Sequence, residues 1–142
     1  MKIDCLLDAN VLVYAASRNP GERHKAARAA ELMLNSRFSV SGQVLQEFFN
    51  TVTRKVAIRL APADALAFIE ALDAVPCAAT DRELVKRGIA IAAQYQISYW
   101  DGAVIAAAER LGAPTLYTED LNHGQRYGSV TVIDPFRVGV PG

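Results

Sequence analysis

Residues 3–10 of the chain spell IDCLLDAN, a short apolar run that ends in two polar side chains. The run from Ile3 to Leu7 predicts a buried strand, because it is short and almost entirely apolar. Asp8 and Asn10 follow the run at once, and both residue types favour helix caps and turns. This stretch therefore predicts a strand that ends in an acidic residue.

Outward from this stretch, strand patterns alternate with helix patterns. Strands are predicted over residues 3–7, 38–41, 75–79, 114–118 and 130–133. Helices are predicted over residues 22–34, 43–56, 62–73, 82–95 and 101–111. Such alternation is typical of an α/β fold, in which helices cover both faces of a parallel sheet.

Composition limits the possible classes of protein. With 142 residues, the chain is expected to form one domain over residues 1–142. A hydrophobic fraction of 51% and a formal net charge of +0 exclude a disordered chain. The balance of 15 basic and 15 acidic residues also lacks the strong positive charge that is usual in nucleic-acid-binding domains.

The start of the chain and its two cysteines predict a cytoplasmic protein without a membrane segment. Asp4 and Asp8 interrupt the first apolar stretch, which argues against a secretory signal. Cys5 and Cys77 lie far apart and belong to no metal-binding spacing. We expect both to be reduced, buried thiols.

Acidic residues fall where parallel strands end or helices begin. Asp8 follows the first strand, Glu47 lies near the start of the helix after the second, and Asp101 opens the Ala-rich helix. Glu119 and Asp120 follow the strand over residues 114–118. These points lie along one edge of a parallel sheet, which is where ligands bind in open α/β folds. The carboxylates are therefore expected to converge.

Each acid also has a simpler structural interpretation. Helix N-termini favour acidic residues, so capping alone explains Asp8 or Asp101 equally well. Glu47 shares a polar helix stripe with Gln43 and Asn50, as an ordinary solvated helix face would. What capping and solvation leave unexplained is the arrival of four acids at one edge.

Converging carboxylates need protons or a cation, because two unit charges about 4 Å apart repel by roughly 4 kcal/mol at an effective dielectric of 20. Oxygen ligands favour Mg²⁺ or Mn²⁺ over zinc. Such an ion can generate a hydroxide nucleophile and stabilise charge on a phosphoryl group. Hydrolysis of a phosphodiester fits this set of residues.

Four segments together resemble the PIN-domain family, and within it the VapC-type ribonuclease toxins of bacterial toxin–antitoxin pairs. They are LLDANVLVY, SGQVLQEFFN, YWDGAVIAAAERLGA and LYTEDLNHGQ, which occur in the family's order and span nearly the whole chain. The resemblance implies a three-layer α/β/α sandwich with a short, mostly parallel sheet. It also implies an endoribonuclease that uses Mg²⁺ or Mn²⁺, forms a homodimer and pairs with a VapB-type antitoxin protein.

The resemblance assigns roles to individual residues. The acidic quartet that it implies consists of Asp8, Glu47, Asp101 and Asp120. Of these, Asp8, Asp101 and Asp120 are the expected metal ligands. Possible supporting residues are Asn10, Thr118 and Glu119, although neighbouring side chains at a strand end, such as Glu119 and Asp120, point in different directions.

Two other functions remain open from the sequence. A phosphatase of the haloacid dehalogenase type also places an aspartate after its first strand, but it needs a second one where this chain has Asn10. A PIN protein without catalytic activity, acting as an RNA-binding or interaction module, fits the same motifs. Metal-dependent stabilisation without turnover would favour that second alternative.

Overall fold

A six-stranded sheet lies at the centre of the computed structural model, which describes residues 2–137. The strands are β1 (Cys5–Leu7), β2 (Phe38–Ser41), β3 (Cys77–Ala78), β4 (Thr115–Tyr117), β5 (Arg126–Tyr127) and β6 (Val130–Ile133). They lie in the order β3-β2-β1-β4-β6-β5, and every neighbouring pair is parallel except β5 and β6.

Helices connect these strands. They are α1 (Ala9–Ala15), α2 (Arg23–Asn35), α3 (Gly42–Arg54), α4 (Pro62–Glu70), α5 (Arg82–Tyr95) and α6 (Tyr99–Leu111), with a short 3₁₀ helix at Pro20–Glu22. The mostly parallel sheet and its helices confirm the predicted three-layer α/β/α sandwich. No helix within residues 2–137 is long and apolar enough to cross a membrane.

The first strand is the buried centre of the sheet. Cys5, Leu6 and Leu7 are all at most 1% exposed, and β1 pairs in parallel with both β2 and β4. A strand covered on both faces needs an unbroken apolar run, and residues 5–7 supply one. The polar residues that follow β1 therefore begin at the carboxyl edge of the sheet.

Two elements are absent from the sequence-based prediction. Helix α1 has only seven residues, too few for a helical period to show, and four of them are Val, Leu and Tyr. The polar residues 122–129 predict a loop, but β5 lies within them, and Gly128 (φ +63°) and Ser129 turn the chain into β6. Glycine tolerates this left-handed conformation, so a two-residue hairpin forms.

Three expectations are corrected by the structure. Cys5 is buried as predicted, but Cys77 is exposed because it lies on β3 at the edge of the sheet. Helix α6 begins at Tyr99 rather than at Asp101. The sequence predicts that Trp100 packs in the core or at an interface; it is not a core residue, because it lies in the first turn of α6 and keeps 63% of its surface exposed.

Candidate active site

Asp8 is the most deeply buried acid of the predicted quartet, with 6% of its surface exposed. It caps α1, because its Oδ1 accepts a 2.8 Å hydrogen bond from the backbone N–H of Ala9. Burial raises the pKa of Asp8 to about 6, since the charged form loses its hydration. Hydrogen bonds from Ala9 and Thr118 oppose this rise in pKa, whereas the negative charges of Glu47 and Asp120 add to it.

The Thr118 hydroxyl joins the ends of β1 and β4. It donates to Asp8 Oδ2 at 2.8 Å and accepts from Asn10 Nδ2 at 3.0 Å. The backbone N–H of Asp120 also donates to this hydroxyl, at 3.1 Å. Thr118 is fully buried. Its single hydroxyl therefore fixes Asp8 relative to the segment that carries Asp120.

Asn10 connects α1 to the same segment. Its amide nitrogen lies 3.2 Å from Asp120 Oδ2, and its amide oxygen accepts a 3.4 Å bond from the backbone N–H of Glu119. The structure thus places Asn10 and Thr118 beside Asp8 and Asp120, where the resemblance expected supporting residues. Asp120 itself is exposed, so its carboxylate faces the solvent side of this network.

Asp101 is the third residue of α6. Ser98 caps this helix, because its hydroxyl accepts a 3.1 Å bond from the backbone N–H of Asp101. Partial burial raises the pKa of the Asp101 carboxyl; a hydrogen bond with Ser98 opposes the rise in pKa, and the charge of Asp120 adds to it. Capping therefore positions Asp101 but does not remove its unfavourable electrostatic environment.

Glu47 lies on the exposed face of α3. This helix follows β2 directly, and the buried Ser41 caps it by accepting a 3.1 Å bond from the N–H of Val44. Gln43 Nε2 then donates to Glu47 Oε1 at 2.9 Å and to the backbone oxygen of Trp100 at 3.2 Å. Gln43 therefore links Glu47 to the first turn of α6.

The four acids influence one another electrostatically. Glu47 and Asp120 each raise the pKa of Asp8, and Asp120 also raises the pKa of Asp101. Within residues 2–137, none of the four forms a salt bridge. The structure thus brings four segments together at one edge and leaves their negative charge without a basic partner from the described part of the chain.

The adjacent Glu119 is engaged elsewhere. Lys25 Nζ lies 3.1 Å from its Oε2, and the Tyr14 hydroxyl donates to its Oε1 at 2.8 Å. Lys25 also contacts the Tyr14 hydroxyl at 3.1 Å and lies 4.5 Å from the centre of that ring. The two consecutive acids therefore have different surroundings, and a lysine balances the charge of Glu119.

The sequence-based interpretation did not single out two positioning residues. Ser98 could have been found, because Ser98-Tyr-Trp-Asp101 has the spacing of a capping box. Gln43 was assigned only to a polar stripe, and no local pattern shows that it reaches the backbone of Trp100. His24, between Arg23 and Lys25, and His123, in the polar segment 122–129, are predicted to be surface residues, and both are exposed.

The model for the PIN domain family matches residues 5–128 of the chain. The chain belongs to the PIN-domain family. PIN domains are nucleases, and PIN-domain nucleases generally use divalent metal ions. No curated protein matches the chain in sequence.

Several solved structures share this fold. The sarcin–ricin-loop-cleaving toxin VapC20 of Mycobacterium tuberculosis matches with a TM-score of 0.66 and 18% identity, over 82% of this chain and 90% of that one. A toxin–antitoxin complex from Klebsiella pneumoniae matches with a TM-score of 0.71 and 14% identity, over 95% of this chain and 100% of that one. FitAcB from Neisseria gonorrhoeae matches with a TM-score of 0.61 and 22% identity, over 94% of this chain and 99% of that one.

Proposed function

We propose that this PIN protein is a metal-dependent endoribonuclease, acting as the toxin of a type II toxin–antitoxin pair. The observation that carries the proposal is the meeting of Asp8, Glu47, Asp101 and Asp120 at one sheet edge, without a basic partner among residues 2–137. Burial of Asp8 makes this uncompensated charge costly. A site that keeps such a charge is a candidate for function rather than for stability.

The chemistry of the donors fits a hard divalent cation. Asp8, Asp101 and Asp120 would supply the carboxylate oxygens for Mg²⁺ or Mn²⁺. Within residues 2–137, no three His, Cys, Asp or Glu side chains are arranged as ligands of one ion. Cation binding would therefore have to draw these carboxylates closer than the structure places them.

Glu47 would orient or deprotonate the attacking water. It is exposed in the second turn of α3, where Gln43 holds one of its oxygens and no residue within 2–137 holds the other, which could accept a proton. When bound, the divalent ion would stabilise the charge that develops on the scissile phosphate. Attack by water on the phosphorus would break the bond to the 3′-oxygen, which would take up a proton, leaving a 3′-hydroxyl on one product and a 5′-phosphate on the other.

We further propose a VapB-type antitoxin protein as the cellular partner, and a homodimer as the assembly. The solved neighbours include a toxin–antitoxin complex and FitAB bound to a DNA fragment. Their chains are covered almost completely by this one, so the comparison extends over the whole domain. A cytoplasmic location follows from an RNA substrate and an antitoxin partner.

A cleavage assay tests the nuclease proposal. Single-stranded RNA is incubated with the purified protein in Mg²⁺ or Mn²⁺, in EDTA, and with Asp8→Asn. We expect cleavage only in the metal-containing wild-type reactions. Equal cleavage in every reaction would show a contaminating nuclease, and no cleavage with metal-dependent thermal stabilisation would instead favour a non-catalytic PIN protein.

A further inference from the structure

A groove lies beside the candidate active site, between α3 and the start of α6. Its volume is about 460 Å³, and Glu47 and Trp100 both line it. Glu47 belongs to the acidic quartet, and Trp100 immediately precedes Asp101 in the chain. Through Glu47 the groove therefore adjoins the proposed site of cleavage.

Trp100 is the main aromatic surface of this groove. Its side chain is 63% exposed, whereas neighbouring Tyr99 is half-buried and packs near Gly88 of α5. The Tyr99 ring contacts the Trp100 ring edge to face, with centroids 5.1 Å apart. The indole is thus supported by a half-buried neighbour while most of its surface faces solvent.

The opposite wall of the groove is formed by polar side chains of α3. Gln43, Glu47, Thr51 and Lys55 recur every fourth residue and so lie along one stripe, and Gln46 also lines the groove. Side-chain amides both donate and accept hydrogen bonds, which matches the edges of nucleobases. Lys55 lies eight residues from Glu47, roughly 12 Å along the helix axis, which is far enough to hold a phosphate away from the acids.

We infer that this groove binds an unpaired nucleobase of the RNA substrate, with the base stacked on Trp100. The inference rests on the nuclease proposed above and adds to it a substrate subsite. Unpaired bases in RNA are commonly stacked on aromatic side chains while their edges are hydrogen-bonded. Every α3 residue that lines the groove carries a hydrogen-bonding group, and Trp100 adds an apolar ring face, which together match the edge and the face of a nucleobase.

The test uses the single tryptophan of the chain as a reporter. A short single-stranded RNA is titrated into the Asp8→Asn protein, which is not expected to cleave it, and emission is recorded alongside anisotropy of the labelled RNA. We expect saturable quenching with the same dissociation constant in both signals. The matching duplex RNA, whose bases are already paired and stacked, should quench much less.

Variants at Trp100 separate stacking from general folding. In the Asp8→Asn background, Trp100→Ala should weaken binding about 5- to 150-fold, and Trp100→Phe should restore most of the affinity. With active protein, Trp100→Ala should raise KM more than it lowers kcat. Lys55→Gln should remove one phosphate contact and so reduce the slope of log affinity against log salt by about one.

The outcomes distinguish this inference from the proposed function. Wild-type cleavage without tryptophan quenching would overturn the subsite and leave the nuclease standing. Quenching without cleavage would support the subsite and count against the nuclease. If Trp100→Ala instead changes the sedimentation coefficient and leaves RNA affinity intact, the groove is an interface with a second copy, and the inference is wrong.

Discussion

The Thr118 hydroxyl donates a 2.8 Å hydrogen bond to the Asp8 carboxylate, joining two residues that are 110 positions apart in the chain. Both side chains are buried, and they follow neighbouring parallel strands, β1 and β4. This bond connects the most buried acid of the site to the segment that carries Asp120. The position of the Asp8 carboxylate is therefore fixed relative to the backbone of Asp120.

Replacing Thr118 by valine should damage both stability and cleavage. Valine keeps the shape but leaves Asp8, the Asn10 amide and the Asp120 N–H without their shared hydroxyl. Loss of such buried partners costs about 1–3 kcal/mol, which urea denaturation would measure. Thr118→Ser is the matched control and should stay close to wild type in both properties. Equal effects of the two substitutions would contradict a specific role for the hydroxyl.

Asp8→Asn should abolish RNA cleavage while stabilising the metal-free protein at neutral pH. A pKa raised from 3.8 to about 6 means that ionising Asp8 costs the folded state on the order of 3 kcal/mol. Asparagine removes this cost and can still accept the bond from Ala9, although its amide nitrogen leaves the Thr118 hydroxyl without its acceptor, which offsets part of the gain. Thermal melts in EDTA at pH 7 should therefore give the variant the higher Tm.

The same pKa fixes the pH dependence of that difference. The folded protein holds the Asp8 proton more tightly than the unfolded chain, so wild-type stability falls as pH rises from about 4 to 6. Below pH 4 the carboxyl is protonated in both states and the cost disappears. Subtracting the Asp8→Asn stability profile from the wild-type profile should isolate this step. If the difference in stability between the two proteins stays constant from pH 4 to pH 6, Asp8 is not a buried carboxyl with a raised pKa.

RNA cleavage should depend on the charge of Asp120 but hardly on that of Glu119, although the two residues are adjacent. Glu119→Gln should leave cleavage within a few fold of wild type, because that carboxylate is bonded to Lys25 and Tyr14. Its partly exposed ion pair contributes about 0–1 kcal/mol to stability. Asp120→Asn should reduce cleavage to the level of the EDTA reaction. Parallel loss of activity in both variants would place Glu119 in the site.

Gly102→Ala should destabilise the protein because α5 and α6 pack closely at this position. A Cβ there would overlap the carbonyl oxygen of Gly88 and approach the backbone nitrogen of Ala92 to 3.0 Å. Such overpacking costs typically 1–3 kcal/mol. Gly42→Ala is the control, since its Cβ would lie 3.9 Å from the nearest atom. Denaturation midpoints should fall for the first substitution and not for the second.

The two cysteines should differ in reactivity. Cys77 is exposed and Cys5 is 1% exposed, although burial raises the pKa of both thiols. A chromogenic disulfide reagent should titrate one thiol in the native protein and two after denaturation. Cys77 should react faster as pH rises, because the thiolate is the nucleophile. Rapid labelling of a Cys77→Ser variant would contradict the burial of Cys5.

The sequence determined the fold class through patterns formed by residues that are close together in the chain. An apolar run ending in Asp8 predicts a buried strand, and helical spacing after it predicts the alternation that makes a parallel sheet. Such a sheet places strand ends along one edge, so the topology alone predicted that Asp8, Glu47, Asp101 and Asp120 lie near one another. Helix α1 was not predicted, because its seven residues hold fewer than two helical periods. Its β-branched and aromatic side chains also suit strands equally well.

Only the tertiary structure decided which of these acids are charged at a cost and which are neutralised. The burial of Asp8, the Thr118 bond that orients it and the Lys25 partner of Glu119 all come from contacts between segments distant in the chain. The exposure of Trp100 beside Glu47 was likewise decided by the packing of α6 against α5. The physical reason is that a pKa depends on solvation and on charges a few ångströms away, and neither follows from the order of residues alone.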